Sequence, residues 1–198
     1  HDIGAAGHAK LTGCVQDFAI AANTLAEATA HVEEALGVPL QPGGEHAVFG
    51  THNRLLGLAD GLYLEAIAID PEATPQRQPR WFDLDRFEGA ARITNWICRS
   101  SDLDSTLAAL PVDAGAPVSL TRGDLSWQMA VPNSGILPYD NIFPALIQWQ
   151  GPHPAPRLTT LYTSPNAPFP SKRFTCRRHT APVSQTRLNA PLHRHTDT

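Results

Sequence analysis

What most limits the fold of this chain is that it runs through one order of elements twice. Residues 14–23, "CVQDFAIAAN", read as a buried strand. Thr24 with Glu27 makes a capping-box pattern, Leu25, Ala28, Val32, Ala35 and Leu36 recur at helical spacing, and Gly37 stops the helix. Residues 39–44 read as a loop, and strands follow over 51–58 and 62–69, joined at the Asp60-Gly61 hairpin signal. The order then begins again. "ARITNWICRS" is a strand, Asp102 caps a helix over Leu103, Leu107 and Leu110, and strands follow over 118–121, 126–131 and "PALIQWQG". An offset of 78 residues lays Asp17 on Asn95, Thr24 on Asp102 and Leu25 on Leu103. The expected architecture is therefore α+β, a βαβββ module repeated.

The strand over 62–69 carries one carboxylate, Glu65, among Leu, Ala and Ile. Such a charge is costly unless something pairs with it or binds it. Strand alternation puts Tyr63, Glu65 and Ile67 on one face, and Leu64, Ala66 and Ala68 on the other, where they suit packing under a helix. On the preceding strand Asn53 takes one face, while His52 and Arg54 take the other, and the register is open.

Composition narrows the partners. With 198 residues, 42% of them hydrophobic and 17% charged, the chain can bury a real core. A net charge of -4 provides no general basic surface, so nucleic acid is not an expected partner. No apolar run approaches the roughly 18 residues of a membrane span, and the opening residues lack the regions of a signal peptide. Cys14, Cys98 and Cys176 form no CxxC pair and fit small apolar residues in a reducing cytoplasm. The expected organisation is an N-terminal extension over 1–13, a folded body over 14–157, and an irregular, disordered tail over 158–198. Within the body the modules span 14–70 and 91–151, with a Pro-rich linker over 71–90. From Pro152 onward the only acidic residue is Asp197, a composition that also fits a changed reading frame.

Three stretches carry a resemblance: "FAIAANTLAEATAHVEEALGVPLQPGGEHAVFGTHNRLLGLADGLYLEAIAID", "ITNWICRSSDLDSTLAAL" and "PALIQWQG". Through them the chain resembles the vicinal oxygen chelate superfamily, and within it the glyoxalase-like domain proteins. The resemblance implies that the two modules form a half-open barrel with helices on the outer face and a cavity inside the curved sheet. It also implies a metal ligand on the first and last strand of each module, here Asp17, Glu65, Asn95 and Gln148. Family members commonly place His where this chain has Asp17 and Asn95, and Glu where it has Gln148. An all-oxygen set suits Mg, Ca or Mn and binds weakly. A metal-free polar cavity is therefore the more economical expectation, with a divalent metal as the alternative and no other cofactor.

Glu65, His52 and Asn53 are the candidate catalytic residues, His52 being equally suited to bonding a neighbouring loop. Trp96, Trp127, Tyr139 and Arg54 are candidates for ligand contact, with plain packing or turn roles as the alternative. His46, in a Gly-rich loop, reads as solvated. The resemblance implies a lyase- or isomerase-like enzyme acting on a small oxygenated molecule, a resistance-type binding protein, or a vestigial member. A small molecule is the expected partner, and an oligomer is left open.

Overall fold

The computed structural model describes residues 15–59 and 61–151; the expected N-terminal extension, Cys14, Cys176 and the tail lie outside the described residues. The first module comprises β1 (Val15–Ala21), α1 (Leu25–Leu36), β2 (Gln41–His46), β3 (Thr51–Ala59) and β4 (Leu62–Ile69). The second comprises β5 (Arg92–Arg99), α2 (Leu103–Ala109), β6 (Ala116–Arg122), β7 (Leu125–Val131) and β8 (Ala145–Trp149). The helix ends follow from local chemistry. The Thr24 hydroxyl accepts from the Glu27 N–H at 3.2 Å and the Glu27 carboxylate accepts from the Thr24 N–H at 3.1 Å, closing a capping box. Gly37 ends α1 at φ 70, a left-handed conformation that glycine adopts without a Cβ penalty. Asp102 caps α2 at the equivalent place, accepting from the Ser105 N–H at 3.0 Å.

All eight strands form one mixed sheet in the order β2-β3-β4-β1-β5-β8-β7-β6. Each module contributes four adjacent strands, with its first and last running parallel, and the antiparallel β1–β5 pair joins the halves. The sheet curls into a half-open barrel until its edges approach, the Arg122 side chain of β6 lying against Gly44 of β2. On the outer face Ile20, Leu56 and Ala66 pack with Ala28 and Val32 of α1, and Ala130 and Leu146 pack with Leu103 of α2. The inner face carries a separate apolar cluster that includes Ile67, Ile97, Trp127 and Ile147. None of the helices in the described residues is long and apolar enough to cross a membrane.

Two segments differ from the sequence expectation. Residues 41–46 are not loop but the edge strand β2, paired antiparallel with β3. The segment over 71–90 is more than a linker: its 3-10 turn, Trp81–Arg86, buries Trp81, Phe82 and Leu84 in the inner cluster and so plugs the barrel. Trp81 stacks between Phe49 and Phe82, with ring centroids 4.6 and 5.0 Å away. Phe82 and Asp83 sit at φ 56 and 55, a left-handed conformation that costs on the order of 1–3 kcal/mol for a residue other than glycine. Polar ties hold them there. The Asp83 N–H donates to the Gly135 carbonyl at 3.0 Å, the Asn141 amide donates to the Asp83 carboxylate at 3.1 Å, and Arg86 grips that carboxylate at 2.7 and 2.6 Å.

If the plug is part of the core, Trp81→Ala should cost about 3–5 kcal/mol in urea unfolding, the range for emptying a buried aromatic site. A change below about 0.5 kcal/mol, the size expected at an exposed surface position, would mean that the turn does not support the barrel.

Candidate active site

The site begins with an irregularity in β1. Val15 pairs with Cys98 and Asp17 with Ile97, so Gln16 is an extra residue, a bulge. The bulge lets two successive polar side chains serve the barrel interior. Gln16 donates to the Tyr63 hydroxyl at 3.0 Å and accepts from the Trp149 indole N–H at 2.9 Å and from Arg99 Nε at 3.0 Å. Asp17 lines the inner pocket with Tyr63 and Glu65 of β4. Glu65 is buried on the inner face, where alternation along β4 sends it.

Glu65 is paired from two sides. The Asn53 amide of β3 donates to it at 2.5 Å. On the other side stands Asp17, whose carboxyl is pushed well above the usual carboxylate range, first by burial and then by the charge and hydrogen bond of Glu65. The Phe18 backbone and the Tyr63 hydroxyl pull the opposite way without reversing that direction. Asp17 therefore holds its proton more tightly than an ordinary carboxyl and shares it with Glu65, while its Oδ1 meets no partner among the described residues. Burial, followed by the neighbouring Asp17 and Glu65 carboxyls, raises the Tyr63 hydroxyl well above its ordinary value, so the phenol stays neutral.

Arg122, from the far edge of the sheet, completes the chain of contacts. Its guanidinium lies 3.4 Å from Asn53 Oδ1 and 3.4 Å from His46 Nε2. A guanidinium only donates, so His46 Nε2 accepts, and Nδ1 carries the proton toward the Thr51 hydroxyl 3.0 Å away. His46 remains neutral because burial and then the charge of Arg122 lower it to about 3. The ring is wedged edge-on against Trp81 and Trp127 at 5.0 and 6.3 Å. Between these groups is a pocket offering about 40 Å³ to the centres of water-sized groups. A single water needs roughly 10–15 Å³ on that measure, so the pocket is small.

Of the residues expected at the site, Asp17, Asn53, Glu65 and Trp127 line this pocket. Gln148 does not. It faces outward and accepts from the Leu103 N–H of α2 at 2.6 Å, because the inward positions of β8 are Ala145, Ile147 and Trp149. Asn95 is buried opposite Ala19, outside the pocket lining, and neither of its amide atoms has a partner among the described residues. His52 and Arg54 project from the face of β3 opposite to Asn53, and Arg54 is exposed beside α1. Trp96 alternates away from Ile97 and donates to the Ile142 carbonyl at 2.8 Å. Tyr139 is 65% exposed in a left-handed turn and lines no part of the pocket. Sequence reasoning missed Gln16, Tyr63, Arg122 and the buried state of His46. Tyr63 alone had a signal, since it shares the face of Glu65.

A comparison with protein families matches residues 18–190 to the family described as "Glyoxalase-like domain". The chain belongs to that family. This places the glyoxalase-like domain within the vicinal oxygen chelate superfamily. No curated protein matches the chain. Among solved structures it is similar to a hypothetical protein from Staphylococcus aureus, at 16% identity and a TM-score of 0.49, covering 69% of this chain and 58% of that one. The chain thus spans less than two thirds of that protein. It is also similar to methylmalonyl-CoA epimerase from Mycobacterium tuberculosis, at 19% identity and a TM-score of 0.42, covering 68% and 85% of the two chains. A hypothetical protein from Bacillus halodurans C-125 follows at 13% identity and a TM-score of 0.43, covering 72% and 97%.

The superfamily implies a divalent metal, and the side chains of this glyoxalase-like domain do not fit one. Among the described residues no three His, Cys, Asp or Glu side chains come together to hold an ion. Asp17 shares its proton with Glu65, Glu65 accepts from Asn53, and the expected fourth ligand, Gln148, serves α2.

Asp17→Asn tests the shared proton. Wild-type Asp17 stays protonated when folded but ionises above its ordinary value of 3.8 when unfolded, so its contribution to stability falls as pH rises. The slope reaches about 1.4 kcal/mol per pH unit. Denaturant melts should therefore show Asp17→Asn gaining on the wild type as pH rises above about 4. Taking this difference cancels the opposite trend of His46, which lowers stability as pH falls below 6.5. A pH-independent difference would mean that Asp17 is ionised in the fold. Gly43→Ala tests the support of Asn53, because a Cβ there would collide with the Asn53 side chain and carbonyl. The variant should lose about 1–3 kcal/mol by the same melts, the usual cost of overpacking.

Proposed function

We propose that this glyoxalase-like domain binds a small oxygenated organic molecule in the inner pocket and moves a proton on it without a resident metal. The observation that carries this reading is the buried Asp17–Glu65 pair, which puts one proton between two carboxyls at the wall of an aromatic pocket. A desolvated carboxylate beside a neutral carboxylic acid is the equipment for proton transfer next to a carbonyl. Glu65 takes the proton from the carbon, the C–H electron pair moves to the carbonyl oxygen as an enolate, and the Asp17 proton is available to that oxygen. Delivery of a proton to the opposite face of that carbon, or to a neighbouring atom of the enolate, gives isomerisation; departure of a group from the next carbon gives lyase chemistry. Asn53 holds Glu65 in place, and neutral His46 and Tyr63 add no charge that would compete with it.

The test is hydrogen–deuterium exchange by NMR at the carbon beside the carbonyl in small oxo compounds, run with a thermal-shift screen of the same compounds. The wild type should catalyse exchange, and Glu65→Gln should lose it by at least about a hundredfold, the low end of what a general base contributes. Exchange surviving in Glu65→Gln would overturn the role of Glu65. A ligand that raises the melting temperature of the wild type without any exchange would identify a non-enzymatic binding protein instead.

A further inference from the structure

We propose that Arg122 is the carboxylate-binding residue of this pocket and that its ligand is a short oxo-monocarboxylate. The inference rests on the reading that the inner pocket takes a small molecule, and it names the class. Arg122 lines the pocket half-buried, and among the described residues no carboxylate lies within ion-pairing distance of it. Its polar contacts there are two long ones, each 3.4 Å, to the neutral groups Asn53 Oδ1 and His46 Nε2. A guanidinium withdrawn from water without a counter-charge is unfavourable, and its planar fork of donors matches a carboxylate with two parallel bonds. The guanidinium carbon also lies 6.0 Å from the Trp127 ring, which gives one face of the fork a flat aromatic neighbour.

A second group in the same wall points to an acceptor-rich ligand. Trp81 is buried and lines the pocket, and its indole N–H meets no acceptor among the described residues. The far wall has the opposite character. Glu65 would repel a second carboxylate, whereas the Asp17 proton suits a neutral carbonyl. One Asn53 side chain spans the two ends, accepting from Arg122 and donating to Glu65. The ligand that matches both ends is therefore a monoanion whose acid group meets Arg122 and whose carbonyl meets the Asp17–Glu65 pair. Size agrees. The pocket is small, so the chain between the acid and the carbonyl must be short for both to engage at once, and a bulky phosphate ester is disfavoured.

The experiment compares 2-oxobutyrate and acetoacetate with their methyl esters by calorimetric titration of the full chain, in wild type, Arg122→Gln and Arg122→Lys. Wild type should bind at least one acid about tenfold or more tighter than its ester, the scale of a charge-assisted pair. Arg122→Gln should abolish that preference. Arg122→Lys should keep part of it, because the charge survives and the fork does not. Circular dichroism melts of each variant establish that it is folded before titration. Equal affinity of acid and ester in the wild type would overturn this inference while leaving the pocket reading intact. A preference that persists in folded Arg122→Gln would do the same. Binding of neither acid nor ester by the wild type would overturn the inference together with the pocket reading on which it rests.

Discussion

The antiparallel pairing of β1 with β5 is the constraint on which the rest depends. Each module alone is four strands whose first strand is left with an open edge, and an open edge of unpaired backbone groups invites association. Joining the two first strands removes both edges and makes β1 the middle of an eight-stranded sheet. The curl that follows brings β6 round to β2 and creates an inside. Only then can a carboxyl from β1, another from β4 and a guanidinium from β6 share one pocket.

The interior this creates is an awkward place for charge, and the side chains answer it in sequence. Glu65 is satisfied by Asn53 and by the Asp17 proton, Asn53 by Arg122 and the Gly44 N–H, and Tyr63 by Gln16. Gln16 in turn is held by Trp149 and Arg99. Such a chain rigidifies when every member is satisfied and becomes costly when one is removed. Two groups in the pocket wall are left over: Asp17 Oδ1 and the Trp81 N–H have no partner among the described residues. An unmet polar group at a cavity wall can be answered by a ligand, whereas one in the packed interior, such as the Asn95 amide, is only a penalty.

Much of the fold was legible because it rests on local signals: the capping box at Thr24, the left-handed stop at Gly37, and the alternation that turned Glu65 inward. Where the reading failed, the deciding forces were tertiary. The 78-residue offset that equates Asp17 with Asn95 agrees with the register, in which Asp17 pairs with Ile97 and Ala19 with Asn95, but it could not show that Asn95 falls outside the pocket lining. Gln148 fails for a related reason, since both faces of "ALIQW" are nearly as apolar as each other and the sequence offers no marker of which one looks inward. Arg122 sits in "TRGD" and His46 in "GGEH", strings that read as surface turns; closure of the sheet gives each its neighbours. The plug had a visible signal, the adjacent Trp81 and Phe82, but the surrounding prolines spoke more loudly for a linker.

The weakest-looking strand turns out to govern the site. β2 contains Pro42, Gly43 and Gly44, a composition depleted in strands, and it carries a register shift between Pro42 and Glu45. Those same glycines have a structural use. Gly43 leaves the space that the Asn53 side chain fills, and Gly44 lets the aliphatic part of Arg122 lie against the backbone while its own N–H donates to Asn53 Oδ1 at 2.8 Å. Larger residues would make a better strand by propensity and would hold the two edges of the barrel apart. Arg122 would then lose Asn53 and His46, and Asn53 would lose the close approach that aims it at Glu65. A local departure from good strand composition is thus the condition for closing the pocket, which is why propensity misread residues 41–46 at the point where the chemistry gathers.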